Sequence, residues 1–142
     1  MQALISKTFS YDVDVAADDI DEMGHVNNAV YLKWVQAAVL GHWRRIVPKD
    51  VAAAHLWIAL KHEIRYRRPA FLNDHVVVKV ALEKYLGTRA FYKTMIKNGD
   101  NVLVEVDSCW CCLDSVTKKP VSLARGIAGK ILPPEPAPDS CS

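Results

Sequence analysis

Apolar Ala3, Ile5, Phe9, Tyr11, Val13 and Val15 alternate with polar Ser6, Thr8, Ser10, Asp12 and Asp14, the two-residue period of a half-buried strand over Ala3–Val15. Residues Ala16 to Asn28 break that period with four carboxylates and a glycine and read as a loop. From Ala29 to Ile46 only Lys33, Gln36, His42, Arg44 and Arg45 interrupt an apolar run that Pro48 closes, which predicts a long helix buried on most of its sides. Alternation returns over Leu56–Arg68, His75–Tyr85, Arg89–Lys97 and Val102–Leu113. Leu86-Gly87 and Asn98-Gly99-Asp100-Asn101 supply turns, the second a strong hairpin signal because asparagine and glycine tolerate positive φ.

One strand, one long apolar helix and four more strands predict an α+β domain. Its expected form is a five- to six-stranded, mainly antiparallel sheet wrapped around a long central helix. One sheet covers a helix from one side only, so the remaining apolar surface calls for a homo-oligomer, a dimer or a dimer of dimers. Ser122–Ile131 is compatible with a short helix, and the prolines from Pro133 onward cannot hold a ladder. The expected organisation is a single domain over residues 1–132 and a proline-rich flexible tail over 133–142.

With 142 residues, 51% of them hydrophobic and 24% charged, the chain has the composition of an ordinary globular domain. A net charge of +2 is too small for a dedicated nucleic-acid binder but suits an anionic ligand. The longest nearly uncharged apolar stretch, Val51–Leu60, is too short to span a bilayer. The opening Met-Gln-Ala-Leu-Ile-Ser-Lys lacks the basic and apolar regions of a secretory leader. A cytoplasmic protein without a membrane span is the expectation. Cys109, Cys111, Cys112 and Cys141 cluster late in the chain, which suits reduced thiols acting as small hydrophobes rather than a disulfide framework. Cys109 and Cys111 share one strand face and Cys112 takes the other, so they do not converge on a metal. The acidic run Asp12, Asp14, Asp18, Asp19, Asp21 lacks the glycine and glutamate register of a calcium loop. Neither a metal nor a cofactor is expected.

The chemistry concentrates at Asp21-Glu-Met-Gly-His-Val-Asn-Asn-Ala-Val-Tyr31. Asn27 and Asn28 can each cap the helix that follows, and Asp21 stands just ahead of it. The free amides of a helix start carry partial positive charge, so they can both keep a carboxylate ionised and polarise a carbonyl. No Gly-x-Ser-x-Gly elbow and no phosphate loop occurs anywhere in the chain.

Asp21-x-x-Gly24-His25-Val26-Asn27-Asn28-x-x-Tyr31 resembles the signature of the hotdog-fold acyl-CoA thioesterases related to 4-hydroxybenzoyl-CoA thioesterase. Ile64-Arg-Tyr66-Arg-Arg-Pro69-Ala70, followed by Asn73-Asp74, resembles the second block of the same family, and the order of elements agrees from about Ser6 to Leu113. The resemblance implies that Asp21 acts on a thioester as nucleophile or general base. It also implies that the backbone amide of Asn28 holds the oxyanion. Plant acyl-carrier-protein thioesterases resemble this stretch too, with an asparagine two residues after the aspartate and a histidine four after it; this chain has Met23 and His25. The bacterial type, centred on Asp21, is the closer pattern, and His25 is a candidate to orient substrate or share a proton with Asp21.

A thioester asks little acid assistance, because a thiol with a pKa of about 8.5 leaves readily. Asp21 can therefore attack the carbonyl or activate a water. The acyl-CoA substrate implied by the resemblance carries phosphates, for which Arg65, Arg67, Arg68 and Arg89 are candidate partners, with Lys118 and Lys119 behind them. Thr88 falls where relatives often have a small hydroxyl residue near the acyl group, and Gly24, Asn27 and Tyr31 complete the substrate-contact candidates. Trp34, Trp43, Trp57 and Trp110 can line an acyl tunnel, though core packing is their commoner use. Two other readings remain open on the sequence: a non-catalytic acyl-CoA-binding module, and an acyl-carrier-protein thioesterase.

Overall fold

The computed structural model of the protein describes residues 7–122. Strand β1 (Thr8–Asp14) leads through a 3₁₀ turn at Ala17–Asp19 to helix α1 (Asn28–Ile46). A short helix α2 (Lys49–Ala54) follows, then strands β2 (His55–Tyr66), β3 (His75–Leu86), β4 (Arg89–Asn98) and β5 (Asn101–Asp114). All five strands join one sheet in the order β1-β3-β4-β5-β2, every pairing antiparallel. The chain thus crosses from one edge to the other between β1 and β2, and α1 makes that crossing on the inner face. This is the α+β hotdog arrangement expected from the pattern, with five strands.

Within α1 the buried residues are Val30, Tyr31, Trp34, Val35, Ala38, Val39, His42 and Trp43. Their spacing marks a single stripe along the helix. Lys33, Gln36, Ala37, Arg44 and Arg45 face solvent, so the helix is not buried on most of its sides as its apolar run predicts. The sheet reaches one face, and the polar interruptions all fall on the other, His42 excepted. The tryptophans pack: Trp34, Trp43 and Trp110 are buried, and Trp43 meets Trp57 edge-on at 5.1 Å.

Two boundaries differ from the sequence pattern. β1 begins at Thr8, with Ala3–Ser6 outside the described residues. The apolar stretch Val51–Leu60 divides between α2 and β2, because alanines favour a helical turn after Pro48 whereas the alternating residues from His55 favour strand. Of Ser122–Ile131 only Ser122 lies among the described residues, and the tail over 133–142 and Cys141 lie outside them. Cys109, Cys111 and Cys112 are in no disulfide and are buried on both faces of β5. Both two-residue hairpins form where the turn signals stand, with Gly87 at φ 59° and Gly99 at φ 60°.

Candidate active site

The loop ahead of α1 closes on itself. Ile20 bridges Val26, the Asp21 amide donates to the His25 carbonyl at 2.8 Å, and the Gly24 amide donates to the Asp21 carbonyl at 3.1 Å. Gly24 takes φ +80° to make the bend, a conformation glycine adopts without strain. Inside this loop Asp21 Oδ1 accepts from the Met23 amide at 2.9 Å and, weakly, from the His25 amide at 3.4 Å. These two bonds fix the carboxylate's direction.

The loop is anchored to the second motif. Val26 donates its amide to the Ala70 carbonyl at 2.9 Å, and the Ala70 amide donates to the buried Tyr31 hydroxyl at 3.0 Å. Burial holds the Tyr31 phenol above its ordinary pKa, so it stays protonated. Asn27 is the N-cap: its side-chain oxygen accepts from the Ala29 amide at 2.9 Å and its carbonyl from Val30. Asn28 opens the helix, and its own amide makes no hydrogen bond among the described residues. Of the two asparagines that could cap, Asn27 does so and Asn28 keeps a free amide.

Asp21, Met23, His25, Val26, Asn28, Tyr31, Tyr66, Arg67, Arg68 and Pro69 line one cleft of about 340 Å³. The two sequence motifs, some forty residues apart in the chain, therefore meet here. The His25 ring is held edge-on by Phe71 at 5.2 Å. Arg67 is tied to Glu105 at 2.5 Å, which pulls the glutamate below the usual carboxylate pKa range. Arg68 has no ion-pair partner among the described residues. Gly24 and Asn27 shape the loop and cap without lining the cleft.

Three candidates stand elsewhere in the same chain. Arg65 pairs with Glu63 at 3.1 Å on the exposed side of β2. Thr88 sits in the β3–β4 hairpin, its carbonyl accepting from the Cys112 amide, and Arg89 lines a separate cavity of about 550 Å³ on the outer face of the sheet. That cavity lies at Cys109, whereas Arg67 bonds to the carbonyl of Leu103. Six residues of β5 separate these positions, about 20 Å at 3.3 Å per residue. Tyr66 and Pro69 line the cleft without having stood out as single residues; their place in the second motif was the available signal. Among the described residues no three His, Cys, Asp or Glu side chains come together as a metal site.

A family model described as the thioesterase-like superfamily matches residues 15–131. The chain belongs to this family. The chain is 26% identical over 126 residues to the long-chain acyl-CoA thioesterase FadM of Escherichia coli K12, covering 84% of this chain and 93% of that one. A thioesterase from Thermus thermophilus, crystallised with coenzyme A and zinc, superposes with a TM-score of 0.76 at 26% identity, covering 86% and 95% of the two chains. The YbaW probable thioesterase of Escherichia coli shares the fold at a TM-score of 0.72 and 23% identity, covering 86% and 95%. The family resemblance carried by the Asp21 and Tyr66 motifs is thereby borne out, and the chain is a thioester hydrolase by family.

Proposed function

We propose that the chain hydrolyses acyl-CoA thioesters in the cleft between Asp21 and the start of α1, releasing a carboxylic acid and coenzyme A. The observation that carries this reading is the shared cleft. Asp21, its carboxylate fixed by the Met23 amide at 2.9 Å, lines it together with Asn28, the first residue of the helix. A thioester carbonyl seated there receives a hydrogen bond from the Asn28 amide, reinforced by the helix dipole, as charge develops on its oxygen. Asp21 either attacks the carbonyl carbon, giving a mixed anhydride that water then opens, or takes the proton of an attacking water. Thiolate leaves in both routes. His25, steadied by Phe71, is suited to orient the thioester or to relay the proton.

Arg68 at the cleft rim, with Arg67 beside it, suits the phosphates of coenzyme A, in keeping with the coenzyme A bound by the Thermus relative. The edge strand β2 supports a homodimer. This strand forms one edge of the sheet and exposes Leu56, Ile58 and Leu60 by 40%, 45% and 46%, so antiparallel pairing with a second β2 would extend the sheet and cover that apolar surface. Arg65, Thr88 and Arg89 would then serve a cleft only from the partner. The reduced cysteines on β5 suit a reducing, cytoplasmic setting.

Asp21→Asn and Asp21→Ala are expected to lower turnover of short, long and aromatic acyl-CoAs by ~10²-fold or more while the far-ultraviolet spectrum stays native. Full turnover in either variant would remove Asp21 from the mechanism. Binding of the thioesters without thiol release by the wild type would mark a sensing module instead.

A further inference from the structure

Beyond the Asp21 cleft, the inner face of the edge strand is only partly covered. Helix α1 packs over β1, β3 and β4, leaving the inner side chains of β2 only partly covered: Trp57, His62 and Ile64 are half-buried and Tyr66 is exposed. Tyr66 lines the Asp21 cleft and touches Tyr31 at 5.9 Å between ring centres. Moving away from the cleft, the same strand face passes Ile64 and reaches His62. Four residues separate Tyr66 from His62, about 13 Å at 3.3 Å per residue.

His62 sits at the end of a polar row that crosses an otherwise apolar core. It stands opposite Ser108 on β5, which stands opposite Tyr92 on β4. The inner members of the row are satisfied: the Ser108 hydroxyl accepts from the Trp110 indole at 2.9 Å, and the Tyr92 hydroxyl is hydrogen-bonded to His42 Nδ1 at 2.9 Å. His62 packs edge-on against Trp110 at 5.6 Å, and its Nδ1 is buried with no hydrogen-bond partner among the described residues. A buried polar atom left unpaired is costly to a fold, so its retention calls for an explanation.

The other buried atoms without partners differ in kind. Trp43 and Trp57 offer indole donors within their mutual contact, and Thr94 lies between Val80 and Val106 in the closed interior. Trp57 and His62 both stand on the open strand, but His62 lies four residues from Tyr66 at the Asp21 cleft, whereas Trp57 lies nine away against Trp43, and of the two only the imidazole can accept as well as donate. Burial lowers its pKa, keeping the ring neutral near pH 7 with one donor and one acceptor nitrogen.

We propose that His62 recognises an oxygen at the far end of the acyl chain, its ring nitrogen bonding a hydroxyl or carbonyl about ten carbons from the thioester. The length follows from about 13 Å of strand and about 1.2 Å per bond of an extended chain. This inference rests on the reading of the Asp21 cleft as the site of thioester hydrolysis, and it names the substrate class: medium-chain acyl-CoAs oxygenated at their terminus.

The test compares kcat/KM for ω-hydroxydecanoyl-CoA and decanoyl-CoA in the wild type, His62→Leu and His62→Gln, with β-hydroxydecanoyl-CoA as the positional control. The wild type is expected to favour the ω-hydroxylated ester about tenfold, as one hydrogen bond to an otherwise unpaired group allows. His62→Leu should bring that ratio to about one, and His62→Gln, which keeps a donor and an acceptor, should retain part of it. The β-hydroxylated ester should show no preference that depends on residue 62. A wild-type ratio near one, or a preference that survives His62→Leu, overturns the proposal. Should His62→Leu fail to fold, the ratio in His62→Gln decides by the same criterion: a fall below the wild type supports the proposal and an unaltered ratio overturns it. Should the wild type hydrolyse neither ester, the hydrolytic reading of the cleft fails by itself. The ratio of the two Kd values by titration calorimetry then carries the same expectations for His62.

Discussion

Tyr31 links the two sequence motifs through one hydroxyl, and the link can be cut without changing the ring. Tyr31→Phe leaves the buried Ala70 amide without its acceptor, a loss of about 1–3 kcal/mol. For a domain of this size that lowers Tm by about 4 °C per kcal/mol, as calorimetry would record. Because Ala70 also holds Val26, thioester turnover should fall with it. His75 gives a pH-dependent counterpart at the Asp14 end of β1. Its Nδ1 bonds Asp14 at 2.8 Å and Asp12 lies 3.5 Å from Nε2, so the imidazolium is favoured and its pKa is raised. A raised folded-state pKa stabilises the fold fully below the ordinary imidazole value of about 6.5. That contribution fades as pH climbs through the raised value. The ring-proton shifts of His75 should titrate above 6.5, and Asp14→Asn should move the midpoint down. Asp21, His25, Asn28 and Tyr31 were legible as candidates because they sit within one short segment. Tyr66 and His62 were not, since a strand position gains a site only when another element is laid beside it.

At the scale of elements, α1 depends on its first turn and on one glycine. Asn27→Ala removes the side-chain acceptor for the Ala29 amide and should cost about 1 kcal/mol in urea unfolding. Gly41 lies inside the helix, where alanine is ordinarily the better helix former. A Cβ built there would come within 2.6 Å of the Phe9 ring, so Gly41→Ala is expected to destabilise by about 1–3 kcal/mol as overpacking forces β1 and α1 apart. A rise in stability would show that the ring simply moves. The helix, the hairpins and the later strands could be read from periodicity and turn chemistry, because those signals are local. The reach of burial around α1 could not, since an apolar run does not disclose how many faces the sheet will cover. Nor could α2, whose alanines sit in the same apolar stretch as the start of β2.

For the whole molecule the decisive feature is the edge formed by β2. A lysine at the centre of its apolar row, Ile58→Lys, should convert the proposed dimer to monomer in sedimentation velocity. A wild-type monomer would end the dimer proposal. The sequence by itself determined the succession of elements, the antiparallel hairpins and the two motifs that carry the family, because propensity, period and turn geometry act over a few residues. The tertiary structure alone decided the sheet order that sends β1 and β2 to opposite edges. It also decided that Arg67 and Arg68 join Asp21 while Thr88 and Arg89 lie at the far end of β5. Those outcomes depend on contacts between segments distant in the chain, fixed by how the core packs rather than by any stretch of sequence.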